Sequence, residues 1–202
     1  MSIIVIGGHT RSVGKTSVVA GLIAALPAFH RTAIKITEHR HGVCSHGEAC
    51  DCASDDHSWA ISEETDRSGE SDTSRFLVAG AEHSWWVRTE PGRLAEAVPR
   101  IREIIASTQY AIIESNSILR FLKPDLYLTV LDPQTSDFKA SAQTFLDRAD
   151  AVLLHSVANS KGPAWEHVSL KPVIDRPMFA IRPPNYVTPE VVEFVRTRLG
   201  TS

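Results

Sequence analysis

The stretch Gly7-Gly8-His9-Thr10-Arg11-Ser12-Val13-Gly14-Lys15-Thr16 constrains this chain more than any other. It follows a continuous apolar run, Ser2 to Gly7, of the kind that fills the buried middle of a parallel sheet. It leads into Lys15 to Leu26, where Val18, Val19, Leu22, Ile23 and Leu26 recur at helical spacing until Pro27 ends the pattern. Strand, glycine-rich turn and helix are the context in which a phosphate loop works. Glycines let the backbone curl until several N–H groups face one anion, and the helix adds the positive end of its dipole. On this reading Gly8, Thr10, Arg11, Ser12, Val13, Gly14, Lys15, Thr16 and Ser17 surround the phosphates of ATP or GTP. Lys15 then reaches the β- and γ-phosphates, and the Thr16 hydroxyl binds Mg²⁺. The plain alternative is a tight turn that merely contains Gly-Lys-Thr. The buried strand, the double glycine and the amphipathic helix together argue against it. Five residues, rather than the usual four, separate Gly8 from Gly14.

Beyond this loop, short β-branched runs alternate with helical patterns, which is the signature of βαβ units. The expected fold class is therefore α/β, a three-layer α/β/α P-loop domain with a mainly parallel central sheet. Strands are expected at Thr32 to Thr37, Ser84 to Arg88, Tyr110 to Glu114, Asp125 to Leu131, Ala151 to Val157 and Pro177 to Ile181. Helices are expected at Asp72 to Gly80, Gly92 to Ser107 and Asp137 to Asp147. A last one has Thr188 as N-cap and Pro189 in its first turn. Glu38 to Glu70 is aperiodic and rich in His, Cys, Ser, Asp and Glu, and reads as an insertion of about 38–70. No repeat or linker divides the chain, so residues 1–202 are expected to form one nucleotide-binding domain.

A net charge of −3 argues against a nucleic-acid-binding surface, which carries a basic excess. No run approaches the roughly 20 apolar residues of a membrane span. The first apolar run is short and lacks a basic region before it, unlike a signal peptide, so a cytoplasmic protein is expected. Cys44, Cys50 and Cys52 are its three cysteines; an odd, clustered set suggests metal or redox chemistry before disulfides.

The loop from Gly8 through Val13-Gly14-Lys15-Thr16 resembles that of dethiobiotin synthetase and its relatives, the parallel-sheet P-loop proteins that include the nitrogenase iron protein. Ile34-Lys35-Ile36-Thr37 resembles the strand on which those synthetases keep a lysine between nucleotide and substrate. Ser71-Asp72 is similar to the Ser-Asp that opens a helix and supplies a metal-binding carboxylate. Ile112-Ile113-Glu114 resembles the strand ending in a magnesium-associated glutamate, and Val157-Ala158-Asn159 the segment whose asparagine contacts the base. Two segments resemble a second family, the molybdopterin-guanine dinucleotide biosynthesis protein B family, which binds GTP. These are Ala33 to His41 and Asp72 to Ala81, the latter with its Asp-Thr-x-Arg and Ala-Gly-Ala elements. The segment Glu114-Ser115-Asn116-Ser117 lacks that family's Glu-Gly.

These resemblances imply a catalytic set of Lys15, Lys35, Asp72 and Glu114, in which Thr16, Asp72 and Glu114 hold Mg²⁺ directly or through its waters. Strand ends are where ligands gather in open α/β sheets, which suits Lys35 and Glu114. Asn159 is expected at the base. Arg182 and Pro183, after the last strand, either wall the base pocket or form a rigid turn.

His39, His41, Cys44, His46, Cys50, Cys52 and His57 crowd the insertion. Thiolates and imidazoles suit zinc, with Cys44, Cys50, Cys52 and His57 as one ligand set; His41 and His46 are alternatives for the fourth place. An iron–sulfur cluster, shared across a dimer, is a further reading, and a metal-free polar loop is another. The expected function is Mg-nucleotide-dependent hydrolysis or phosphoryl transfer to a small acidic or cofactor-like substrate. The competing one is a nucleotide-gated adaptor or metallochaperone in molybdenum-cofactor or metal-cofactor biosynthesis. Expected partners are a nucleotide, a small-molecule substrate and a second copy of the chain.

Overall fold

A computed structural model describes residues 1–27, 32–38, 58–156, 165 and 167–200. Within these, one eight-stranded sheet runs in the order β3-β4-β2-β5-β1-β6-β7-β8. The strands are β1 (Ser2–Gly8), β2 (Thr32–Glu38), β3 (Trp59–Glu63), β4 (His83–Thr89), β5 (Tyr110–Glu114), β6 (Leu126–Leu131), β7 (Ala151–His155) and β8 (Met178–Ile181). All pair in parallel except β3, which runs antiparallel to β4 at the edge. The helices are α1 (Lys15–Ala25), α2 (Asp72–Val78), α3 (Leu94–Ala106), α4 (Ala140–Thr144) and α5 (Pro189–Arg198).

Alternation along β1 builds both layers. Ile4 and Ile6 join α1, α2 and α5 in one core, with Val18, Leu22, Phe76, Val191 and Val195. Ile3 and Val5 face the other way, into a core with Val98, Ile101 and Ile105 of α3 and with Leu119, Leu146 and Val173 from short 3₁₀ turns. Apolar residues on both faces are what a central parallel strand requires. The α/β reading, a three-layer domain on a mainly parallel sheet, is what the structure shows.

Two expectations change and a third holds. Part of the segment read as aperiodic is a strand: β3 pairs Ala60 with Arg88 and Ser62 with Trp86. It is five residues long, pairs along the edge of β4, and packs its alternating Trp59 and Ile61 against the core. The helix expected over Asp137 to Asp147 is only the single turn of α4 followed by a 3₁₀ turn at Leu146–Arg148. Thr188 does occupy the N-cap of α5 in extended conformation, but its side chain makes no capping bond.

The sheet places β1 at its centre, with β5 on one side and β6 on the other. Chain order reverses around β1, and such a switch point opens a crevice at the C-terminal strand ends. No helix among the described residues is long and apolar enough to cross a membrane.

Candidate phosphate site

The loop from β1 to α1 sits over this crevice. Gly14, at φ 96°, turns the chain into α1, and the α1 N-terminus has neither a side-chain cap nor an acidic residue in its first turn. Its free N–H groups and dipole are therefore available to an anion. A Cβ at Gly14 would lie 2.1 Å from the Tyr186 ring, so the close packing of that ring also requires glycine. Ser12 takes φ 56° on the outer arc, and Arg11 and Ser12 are exposed there. Val13 points inward and is buried, while Gly14, Lys15, Thr16 and Ser17 line a cleft of about 790 Å³.

Asn116 holds the loop's entry. Its Nδ2–H₂ donates to the Gly8 carbonyl at 2.8 Å and its Oδ1 accepts the Gly8 N–H at 3.0 Å. A Cβ at Gly7 would meet that same Oδ1 at 2.2 Å, so the double glycine lets an amide side chain seat directly on the strand end. Asn116 was not singled out from the sequence. Its place two residues beyond the strand-end Glu114 is the signal that could have found it.

Lys35, Asp72 and Glu114, far apart in sequence, converge. The Lys35 ammonium donates to Asp72 Oδ2 at 2.5 Å, Glu114 Oε1 at 3.1 Å and the Thr16 hydroxyl at 3.3 Å. Thr16 in turn donates to Glu114 Oε2 at 2.8 Å. Parallel register explains this: Lys35 of β2 lies beside Glu114 of β5, and Glu114 beside Ile6 of β1. Asp72 arrives from the first turn of α2, whose N-cap Ser71 accepts the Ser74 N–H at 3.0 Å. Arg75, one turn on, reaches Ser17 at 3.2 Å and Asp72 at 3.8 Å.

Thr16, Asp72 and Glu114 carry hard oxygens of the kind Mg²⁺ takes, and here these oxygens converge on the Lys35 ammonium. No group of three or more His, Cys, Asp or Glu side chains among the described residues could hold a metal. Asn159 and the Cys44, Cys50, Cys52 and His57 set lie outside the described residues.

Lys15 is not the exposed loop residue that its position in sequence suggests. It is half-buried, and its ammonium donates to the Thr10 carbonyl at 2.7 Å. Burial pushes its pKa down to about 8; the Glu114 charge opposes this, and the nearby Lys139 and Lys35 charges add to it. Among the described residues no carboxylate forms an ion pair with it.

Arg182 and Pro183 fall in a tight turn after β8, where Arg182 bridges Asn185, and neither lines the cleft. Tyr186, beyond the turn, does line it and stacks edge-on against His155, 5.8 Å between ring centres. His155 Nε2 lies 3.0 Å from the Val13 carbonyl. Of the two readings of Arg182 and Pro183, the turn is the one seen, and Tyr186 lines this end of the cleft.

No family model and no curated protein matches the chain. Among solved structures, LpxK from Aquifex aeolicus, crystallised in complex with ATP, is 17% identical and covers 89% of this chain and 53% of its own, at a TM-score of 0.47. The chain thus spans about half the length of that protein, and a likeness so distant assigns neither family nor function.

Proposed function

We propose that the chain binds a magnesium nucleoside triphosphate in this cleft and hydrolyses it or transfers its terminal phosphoryl group to a small acidic or cofactor-like substrate. The observation that carries the reading is the meeting of Lys15, Thr16, Lys35, Asp72 and Glu114 over the open N-terminus of α1. Phosphoryl transfer demands positioning and charge neutralisation more than covalent help from the protein. Here the α1 N–H groups and Lys15 would bind the β- and γ-phosphates, and Asn116 keeps the loop's entry rigid. Thr16, Asp72 and Glu114 would hold Mg²⁺, which when bound neutralises charge on the transferring group. Lys35, already tied to two carboxylates, orients them and lies where the acceptor would approach. The cleft continues past it to Thr37, Pro91 and Ser117, which leaves room for a small substrate beside the nucleotide. The adaptor reading rests on the Cys/His segment, which is outside the described residues.

Calorimetric titration with ATP and GTP, each with and without Mg²⁺, tests the reading. Micromolar to millimolar binding that strengthens with Mg²⁺, together with slow phosphate release, is the expected result. Absence of binding to either nucleotide at several millimolar would end it.

A pH signature follows from Lys15. Because its pKa lies near 8 without ligand, about half the molecules lack that proton at pH 8, and an adjacent triphosphate restores it. Nucleotide binding should take up roughly half a proton at pH 8 and almost none at pH 6. The slope of binding enthalpy against buffer ionisation enthalpy measures this. Equal slopes at the two pH values would place Lys15 away from the phosphates.

A further inference from the structure

The segment from Asp132 to Lys139, after β6, is bound to the phosphate loop at three successive points. The Lys139 N–H donates to the His9 carbonyl at 2.8 Å, and the Thr10 hydroxyl donates to Asp137. The His9 side chain is fully buried, with its ring centre 5.3 Å from that of Phe138 and 5.0 Å from that of Trp165. Its ring nitrogens lie 3.5 Å from the Val130 carbonyl and 3.4 Å from the Thr135 carbonyl, and the Trp165 indole N–H donates to that Thr135 carbonyl at 2.6 Å. A surface loop has no need of a buried histidine. This arrangement makes the segment a rigid extension of the phosphate loop, and what it carries into the cleft is the half-buried Lys139.

We propose that Lys139 is a second phosphate-binding lysine, which contacts the terminal phosphate of a bound nucleoside triphosphate from the β6 side of the cleft, across from Lys35. The proposal rests on the nucleotide reading above and names a residue that distinguishes triphosphate from diphosphate. Lys35 is already neutralised by Asp72 and Glu114. Lys15, Arg11 and Lys139 line the same cleft and make no ion pair with any described residue. Burial, and after it the neighbouring Arg11 guanidinium, hold Lys139 below the ordinary lysine range; Asp137, Glu38 and Glu114 pull the other way. Two ammonium groups that repel each other across a cleft are both relieved by an anion between them. With Lys15 at the β–γ bridge, the anion that also meets Lys139 is the terminal phosphate.

The test compares the wild-type chain, Lys139→Gln and Lys139→Arg for binding of the Mg²⁺ complexes of the β,γ-imido analogues of ATP and GTP, and of ADP and GDP. Loss of one charge-assisted hydrogen bond should weaken the triphosphate analogue about 10- to 100-fold, with less than about a 3-fold change for the diphosphate. Lys139→Arg, which keeps the charge, should recover most of the loss. Equal weakening of both ligands, or no weakening of either, overturns the assignment. A wild-type chain that binds neither nucleotide removes the nucleotide reading itself; one that binds both but ignores Lys139 removes only this one.

Discussion

Lys15→Ala should lose Mg-nucleotide binding by at least about 100-fold while melting no lower than the parent. The first half follows from position: the side chain stands at the open end of α1 and lines the cleft, where the proposed phosphates would sit. The second follows from burial. A lysine whose pKa falls from 10.5 to about 8 in the folded state carries a charge the fold disfavours. With the folded pKa below the unfolded one, the protein is relieved as pH rises from 8 to 10.5, and at pH 7 it bears the whole cost, on the order of 3 kcal/mol. Removing the side chain removes that cost, less the hydrogen bond to the Thr10 carbonyl and the packing of its stem near Gly8. Thermal melting at pH 7 should therefore hold or rise by a few degrees. A variant that melts well below the parent would show Lys15 to be structural. One that binds nucleotide like the parent would show that the loop is not a phosphate site.

Glu114→Gln should reduce hydrolysis by about 100-fold or more, change nucleotide affinity far less, and raise the Mg²⁺ concentration needed for half-maximal rate. The carboxylate is buried at the end of β5 and touches both Thr16 and Lys35, so the swap keeps its shape and removes the more buried of the two charges shared by the proposed metal set and the lysine. Asp72→Asn should act in the same direction but more weakly, since Asp72 is 43% exposed and is shared with Arg75. Glu114 also leaves a second trace. Its charge holds the Lys15 pKa up, so Glu114→Gln should move the proton uptake on nucleotide binding to lower pH. Mg²⁺ titrations and proton uptake identical to the parent would exclude Glu114 from the site.

Much of the site was legible because its parts carry local signals. A buried strand, a glycine turn and an amphipathic helix need no tertiary information to be recognised, since each is a periodicity or a backbone requirement. Glu114 could be found because it ends a strand, and strand ends face the crevice in a parallel sheet. Lys35 stands in the middle of β2 rather than at its end, and it reaches the crevice because β5 stops at Glu114, its partner in register, while β2 runs on. Asn116, Tyr186 and Lys139 carried no such mark. Each acts through a long-range contact: Asn116 with Gly8, Tyr186 with Gly14 and, through the segment anchored on His9, Lys139 with the phosphate loop.

The sequence by itself determined the class of fold, the position of the glycine-rich turn between β1 and α1, and Glu114, the charged residue that ends β5 at the crevice. Hydrophobic alternation and helical spacing are properties of the chain alone, and burying both faces of β1 leaves few alternatives. Tertiary structure decided which groups meet and in what state of charge. It set Lys35 between two carboxylates from β5 and α2, ordered β3 on the edge of β4, and closed Tyr186 over Gly14 in place of Arg182 and Pro183. It also buried Lys15 far enough to bring its pKa to about 8. Desolvation and the distances between charges depend on every strand that packs around the crevice, and so they exist only once the sheet is assembled.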